Sequence, residues 1–122
     1  EFSRVLKPGG KIFIEVPFMQ PLHAAPMDYK RWTVNGLSND LSRVGINVTE
    51  RGISSGPASG LSWMLAELIS IVLSLGSTRI RKVISLPIQA LCSPLKWLDL
   101  ILFWMPNSEV MASSIWVFGT KH

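Results

Sequence analysis

Between two stretches of ordinary strand-and-turn sequence lies a segment, Leu61 to Met105, dominated by Leu, Ile, Val, Met and Trp. No other feature limits the fold so much. Leu61 to Leu75 reads as one helix broken at Gly76. Arg79 to about Ala90 reads as a second, kinked or ended by Pro87, and Leu95 to Met105 as a third between Pro94 and Pro106. Crossing a bilayer takes about 20 consecutive apolar residues. Each run is shorter, and the third carries Lys96 and Asp99, so no transmembrane span is expected.

Helical spacing puts Leu61, Leu65, Leu68, Val72 and Leu75 on one side of the first helix, and Ser62, Ala66, Ser70 and Ser74 on another. Two readings of residues 61–105 follow. In the first, a lid or helical hairpin packs on its own domain or on a second copy in a homodimer. In the second, a monotopic patch makes a peripheral membrane contact, with Trp63, Trp97 and Trp104 at headgroup level and Arg79, Arg81 and Lys82 touching anionic lipid. The first is the expectation. Either suits a hydrophobic or lipid-linked ligand.

The flanks are of another character. Phe2, Val5 and Leu6 read as the end of a helix stopped by Pro8-Gly9-Gly10. Lys11 to Val16 then reads as a strand, apolar enough to be covered on both faces. Pro17 to Trp32 has no period and is read as a long loop, a length that is usually functional. Thr33 is a candidate N-cap for a helix carrying Leu37, Leu41 and Val44 and ending at Gly45. Ile46 to Ile53 reads as a second strand, Ser54 to Gly60 as a linker, and Ser113 to Thr120 as a closing strand. Asn47-Val48-Thr49 matches a glycosylation acceptor by chance inside a strand.

Arg4-Val5-Leu6-Lys7-Pro8-Gly9-Gly10 followed by a hydrophobic strand resembles the turn before strand five in class I S-adenosylmethionine-dependent methyltransferases. His23, Pro26 and Asp28-Tyr29-Lys30-Arg31-Trp32-Thr33, with Gly36-Leu37 opening a helix, resemble a bacterial subgroup's pattern H-x-x-P-x-D-Y-x-R-W/F-T-x-x-G-L. Val44-Gly45-Ile46 stands where that subgroup has Ala-Gly-Phe. The resemblance covers residues 1–53 and 112–121. It implies an α/β fold, strands five, six and seven of a Rossmann-like seven-stranded sheet, with strand seven antiparallel between five and six. Residues 54–111 would be a helical insertion. It also implies S-adenosyl-L-methionine as cofactor and methyl transfer to a small-molecule acceptor. The family's glycine-rich turn and ribose-binding acid match nothing here, so residues 1–122 are expected to be part of a domain whose N-terminal half holds the cofactor. No cofactor-binding residue is assigned. The alternative is a non-catalytic membrane- or partner-binding module on a degenerate methyltransferase scaffold.

Within that reading, His23 is the candidate catalytic base or acceptor contact, set against a histidine that only fixes its loop. Asp28, Tyr29 and Arg31 are the candidate substrate-binding residues, with Arg31 able to clasp an anion. The opposing reading is an Asp28–Arg31 pair that orders the loop, with Tyr29 and Trp32 packed on the sheet. Glu15, inside the first strand, is expected at a helix end or the sheet edge.

Composition adds exclusions. The chain has 122 residues, enough for one domain, with 12 Lys+Arg against 8 Asp+Glu for a net charge of +4. Hydrophobic residues make up 48% and charged residues 16%, which excludes a disordered tail. The basic residues are dispersed except at Arg79, Arg81 and Lys82, so nothing supports a nucleic-acid partner. Cys92 stands alone in an apolar stretch, which excludes an internal disulfide and fits a reducing, cytoplasmic setting.

Overall fold

The computed structural model describes residues 1–23 and 28–122. A short helix α1 (Phe2–Val5) leads into strand β1 (Lys11–Pro17), followed by helix α2 (Val34–Ser42) and strand β2 (Ile46–Ser55). Then come helices α3 (Pro57–Leu73) and α4 (Thr78–Cys92), a 3-10 turn (Ser93–Leu98), helix α5 (Asp99–Leu102), a second 3-10 turn (Ser108–Met111) and strand β3 (Ser114–Lys121). The molecule is mixed α/β, with a small three-stranded antiparallel sheet in the order β1-β3-β2. The last strand therefore lies between the first two and runs against both.

The turns before each outer strand depend on glycine. Gly9 sits at φ +77° and Gly45 at φ +79°, a backbone region that side chains disfavour. Gly10 donates its N–H to the Lys7 carbonyl at 2.8 Å, closing the reversal, and Gly9 donates to Lys121 of β3 at 2.8 Å. Thr33 caps α2 as its position predicts, its hydroxyl accepting the Gly36 N–H at 3.0 Å.

One face of the sheet meets α2. Leu37, Leu41, Ile46 and Val117 form its buried centre, with Ile12, Ile14, Val16, Trp32 and Val48 packed around them. The opposite face is uncovered among the described residues. Phe13 stacks on Trp116 there with ring centroids 5.7 Å apart, yet stays 59% exposed. This corrects the expectation of a β1 covered on both faces: its alternate residues Lys11, Phe13 and Glu15 lie on the open side.

The helical segment departs further from its sequence reading. The supposed linker 54–60 shrinks to Gly56, because β2 runs on to Ser55 and Pro57 sits in the first turn of α3. Asp99 supplies the missing cap from far along the chain. Its carboxylate accepts the N–H groups of Ala58 and Ser59 at 2.9 and 2.8 Å and the Ser59 hydroxyl at 2.6 Å. Leu95 to Met105 is not one helix but parts of a 3-10 turn and the short α5. Pro87 lies inside α4 without ending it.

The structure decides between the two faces of α3. Ser62, Ala66, Ser70 and Ser74 are buried, while Leu61, Leu68, Val72 and Leu75 are exposed. The helix turns its small residues to α4 and its leucines outward. Close approach explains this: the Ser62 hydroxyl reaches the Cys92 carbonyl at 3.0 Å, and Arg81 of α4 pairs with Glu67 of α3 at 2.7 Å. Cys92 is buried.

Candidate functional site

At the end of the sheet where β1 and β2 finish and β3 begins, the chain gathers a polar surface. Strand β1 runs into Phe18 and Met19, whose N–H groups donate to Ser113 and Ala112 and hold the start of the loop against β3. Gln20 adds an amide bond to the Ser113 hydroxyl at 3.1 Å.

Two depressions meet at Gln20. The first, about 350 Å³, is lined by Glu15, Val16, Pro17, Gln20, His23 and Ser114. The second, about 370 Å³, is lined by the serines 55, 59, 62 and 113 with Gln20, Trp63, Gln89 and Lys96. His23 joins them, since its ring lies 5.3 Å from that of Trp63. Its Nδ1 is 3.0 Å from the Pro21 carbonyl oxygen. In the neutral imidazole that contact is a hydrogen bond only with the proton on Nδ1, and Nε2 then carries the lone pair. On the neighbouring strand end, Glu15 accepts hydrogen bonds from the Ser54 and Ser114 hydroxyls, which fix its carboxylate at the open sheet face.

The other sequence candidates divide. Asp28 pairs with Arg31, and the Asp28 side chain is only 9% exposed. Arg31 Nη2 also donates to the Pro21 carbonyl at 3.1 Å, the same oxygen that His23 holds. Arg31 is thus a fastener between two arms of the loop, and Asp28 is its counter-ion. Arg31 Nη1 is buried and donates no hydrogen bond among the described residues. Tyr29 is 82% exposed and does not pack on the sheet. Trp32 does, and its indole donates to Asp40 at 3.0 Å while Lys30 lies over its ring and reaches Asp40 at 2.7 Å. These bonds, Lys30 first and Trp32 second, hold the Asp40 carboxyl below its ordinary pKa. Pro26, part of the loop motif, lies outside the described residues.

The structure therefore brings His23 beside Glu15 and the serine-lined cavity, and sets Asp28 with Arg31 behind the loop. The serines, Gln20 and Trp63 were missed from sequence. Their signal was the density of hydroxyls at Ser54-Ser55 and Ser113-Ser114, the two strand junctions that meet here. Among the described residues no group of three or more His, Cys, Asp or Glu is placed to hold a metal ion, and no helix is long and apolar enough to cross a membrane. No protein-family model, curated protein or solved structure matches the chain.

Proposed function

We propose that this chain is the C-terminal part of a class I methyltransferase domain that methylates a small, hydrophobic or lipid-linked acceptor. The observation that carries the reading is the reversed strand β3 inserted between β1 and β2, behind a Pro-Gly-Gly turn and a loop bearing His23. The uncovered Phe13–Trp116 face supports it too, because the remaining strands and helices of such a domain need an apolar surface to close on.

The described residues do not themselves fit S-adenosylmethionine. The serine-lined cavity has no acidic side chain in its wall to accept ribose hydroxyls. The groups that hold the cofactor would come from further chain packed on β1. When bound, the cofactor supplies an electrophilic methyl group. This chain's residues would shape the acceptor's side of the reaction: the serines and Gln20 orient it, Trp63 gives it an apolar wall, and His23 Nε2 takes its proton.

The test is methyl transfer by the full-length protein with and without His23→Ala. Turnover should fall about 10²- to 10⁴-fold with S-adenosylmethionine binding retained. Unchanged turnover removes His23 from the mechanism, and absence of cofactor binding removes the reading itself. One observation favours the alternative of a non-catalytic module: the leucines of α3 face outward. Measured methyl transfer excludes that alternative.

A further inference from the structure

The α3–α4 hairpin has one end fixed and one end bare. At its base, Gly60 lies so close to β3 and the β1 loop that an added Cβ would come within 3.0 Å of the Met19 carbonyl oxygen and 3.3 Å of Ser113 Cβ. With 17 residues, α3 is about 25 Å long, so its far end lies well beyond this contact. Past Glu67 its side chains are apolar apart from Ser70 and Ser74, and both are buried and bonded to backbone carbonyls of their own helix. The distal part consequently shows water only Leu68, Ile71, Val72, Leu73 and Leu75.

The tip itself is built against solubility. Leu75 is 93% exposed and sits at φ +48°, a left-handed position where a turn in water would use Asn or Gly. Gly76 follows at φ +84°.

Charge decides what covers this tip. In residues 57–105 the acids are Glu67 and Asp99. Glu67 is taken by Arg81 and Asp99 by the start of α3. Arg79 and Lys82, in the first turns of α4 beside the tip, are exposed and in no ion pair among the described residues. Apolar side chains beside two cations that make no ion pair among the described residues match the boundary between acyl chains and anionic headgroups. A twofold contact between copies through the same tip would instead bring these cations toward one another.

We infer that the distal end of the α3–α4 hairpin is a membrane-interface anchor, inserting Leu75 and its neighbours shallowly into an anionic bilayer with Arg79 and Lys82 on the headgroups. The tryptophans Trp97 and Trp104 belong to the other end, near the Asp99 cap, and are not part of this anchor. The anchor does not depend on methyl transfer, and it brings a lipid-linked acceptor within reach of the same molecule.

The test is co-sedimentation of the full-length protein with equimolar phosphatidylcholine–phosphatidylglycerol vesicles and with pure phosphatidylcholine vesicles. The wild type should bind the anionic vesicles preferentially. R79E/K82E should weaken that binding at least about thirtyfold, Leu75→Asp should weaken it about tenfold, and Trp104→Ser should leave it unchanged. Should Leu75→Asp fail to fold, Leu75→Asn, which suits the left-handed backbone, gives the same reading. A wild type that ignores anionic vesicles overturns the anchor. So does binding that survives the tip variants, binding lost in Trp104→Ser, or a solution dimer that Leu75→Asp splits and vesicles do not dissociate.

Discussion

Gly56 and Asp99 are far apart in sequence and depend on one another in the structure, which makes a double-mutant cycle on them informative. Asp99 holds the first turn of α3 by three hydrogen bonds. They share one carboxylate and do not simply add. A charged cap of this kind stabilises by about 2–3 kcal/mol, the upper end for N-caps and the ordinary range for hydrogen bonds to a charge. Gly56 has φ −75° and ψ 174°, extended backbone that alanine adopts without strain. A Cβ there, however, would collide with the Asp99 carboxylate. Gly56→Ala must therefore displace the cap, at a net cost of about 1–2 kcal/mol after the unfolded-state entropy that alanine recovers. With Asp99→Ala already in place the collision is gone, and Gly56→Ala should then be neutral or stabilise by up to about 0.5 kcal/mol. Urea unfolding of the two single variants and the double variant reads the coupling directly. If Gly56→Ala costs the same in both backgrounds, within about 0.5 kcal/mol, Asp99 does not cap α3 and the packing of the hairpin base is wrong.

Three further outcomes follow from the same geometry. Ser70→Leu, at a position with no exposure, should destabilise by about 1–3 kcal/mol by forcing α4 off α3, while Leu68→Ser, at one 58% exposed, should change stability by no more than about 0.5 kcal/mol in denaturant unfolding. The reverse ranking would make the leucine face the buried one. The lowered Asp40 pKa makes its contribution present above the ordinary carboxylate range and lost as pH falls through the lowered value. Asp40→Asn should therefore flatten the acid limb of stability below about pH 4 and leave its slope at neutral pH unchanged. Gly52→Ala should disturb the Trp116 indole, whose Nε1 lies 2.9 Å from where the new Cβ would be, and a shift of the Trp116 indole N–H resonance reports that directly.

The local signals in the sequence were legible where one residue carries one instruction. Pro8-Gly9-Gly10, Thr33 and Gly45 each fix a boundary by their own backbone or hydroxyl chemistry, and the structure uses each as expected. The strand at Lys11 followed from its apolar run, that at Ile46 from its alternation, and that at Ser114 closed the chain as expected. What failed were properties shared between distant residues. The start of α3 is marked in its own sequence by Pro57 alone, because its cap is Asp99. The two faces of α3 were visible in its periodicity, but periodicity does not show which one another helix will meet. There the small stripe wins, since it lets α4 come close enough for Ser62 to bond the Cys92 carbonyl. At the site, His23 stood out by type, whereas the serines around it matter only once the two strand junctions converge.

Isothermal titration of S-adenosylmethionine into the full-length protein tests the central claim most directly. Saturable, equimolar binding is the result expected if residues 1–122 complete a methyltransferase domain. No binding heat at any concentration would contradict that and leave the chain an α/β scaffold carrying an apolar hairpin.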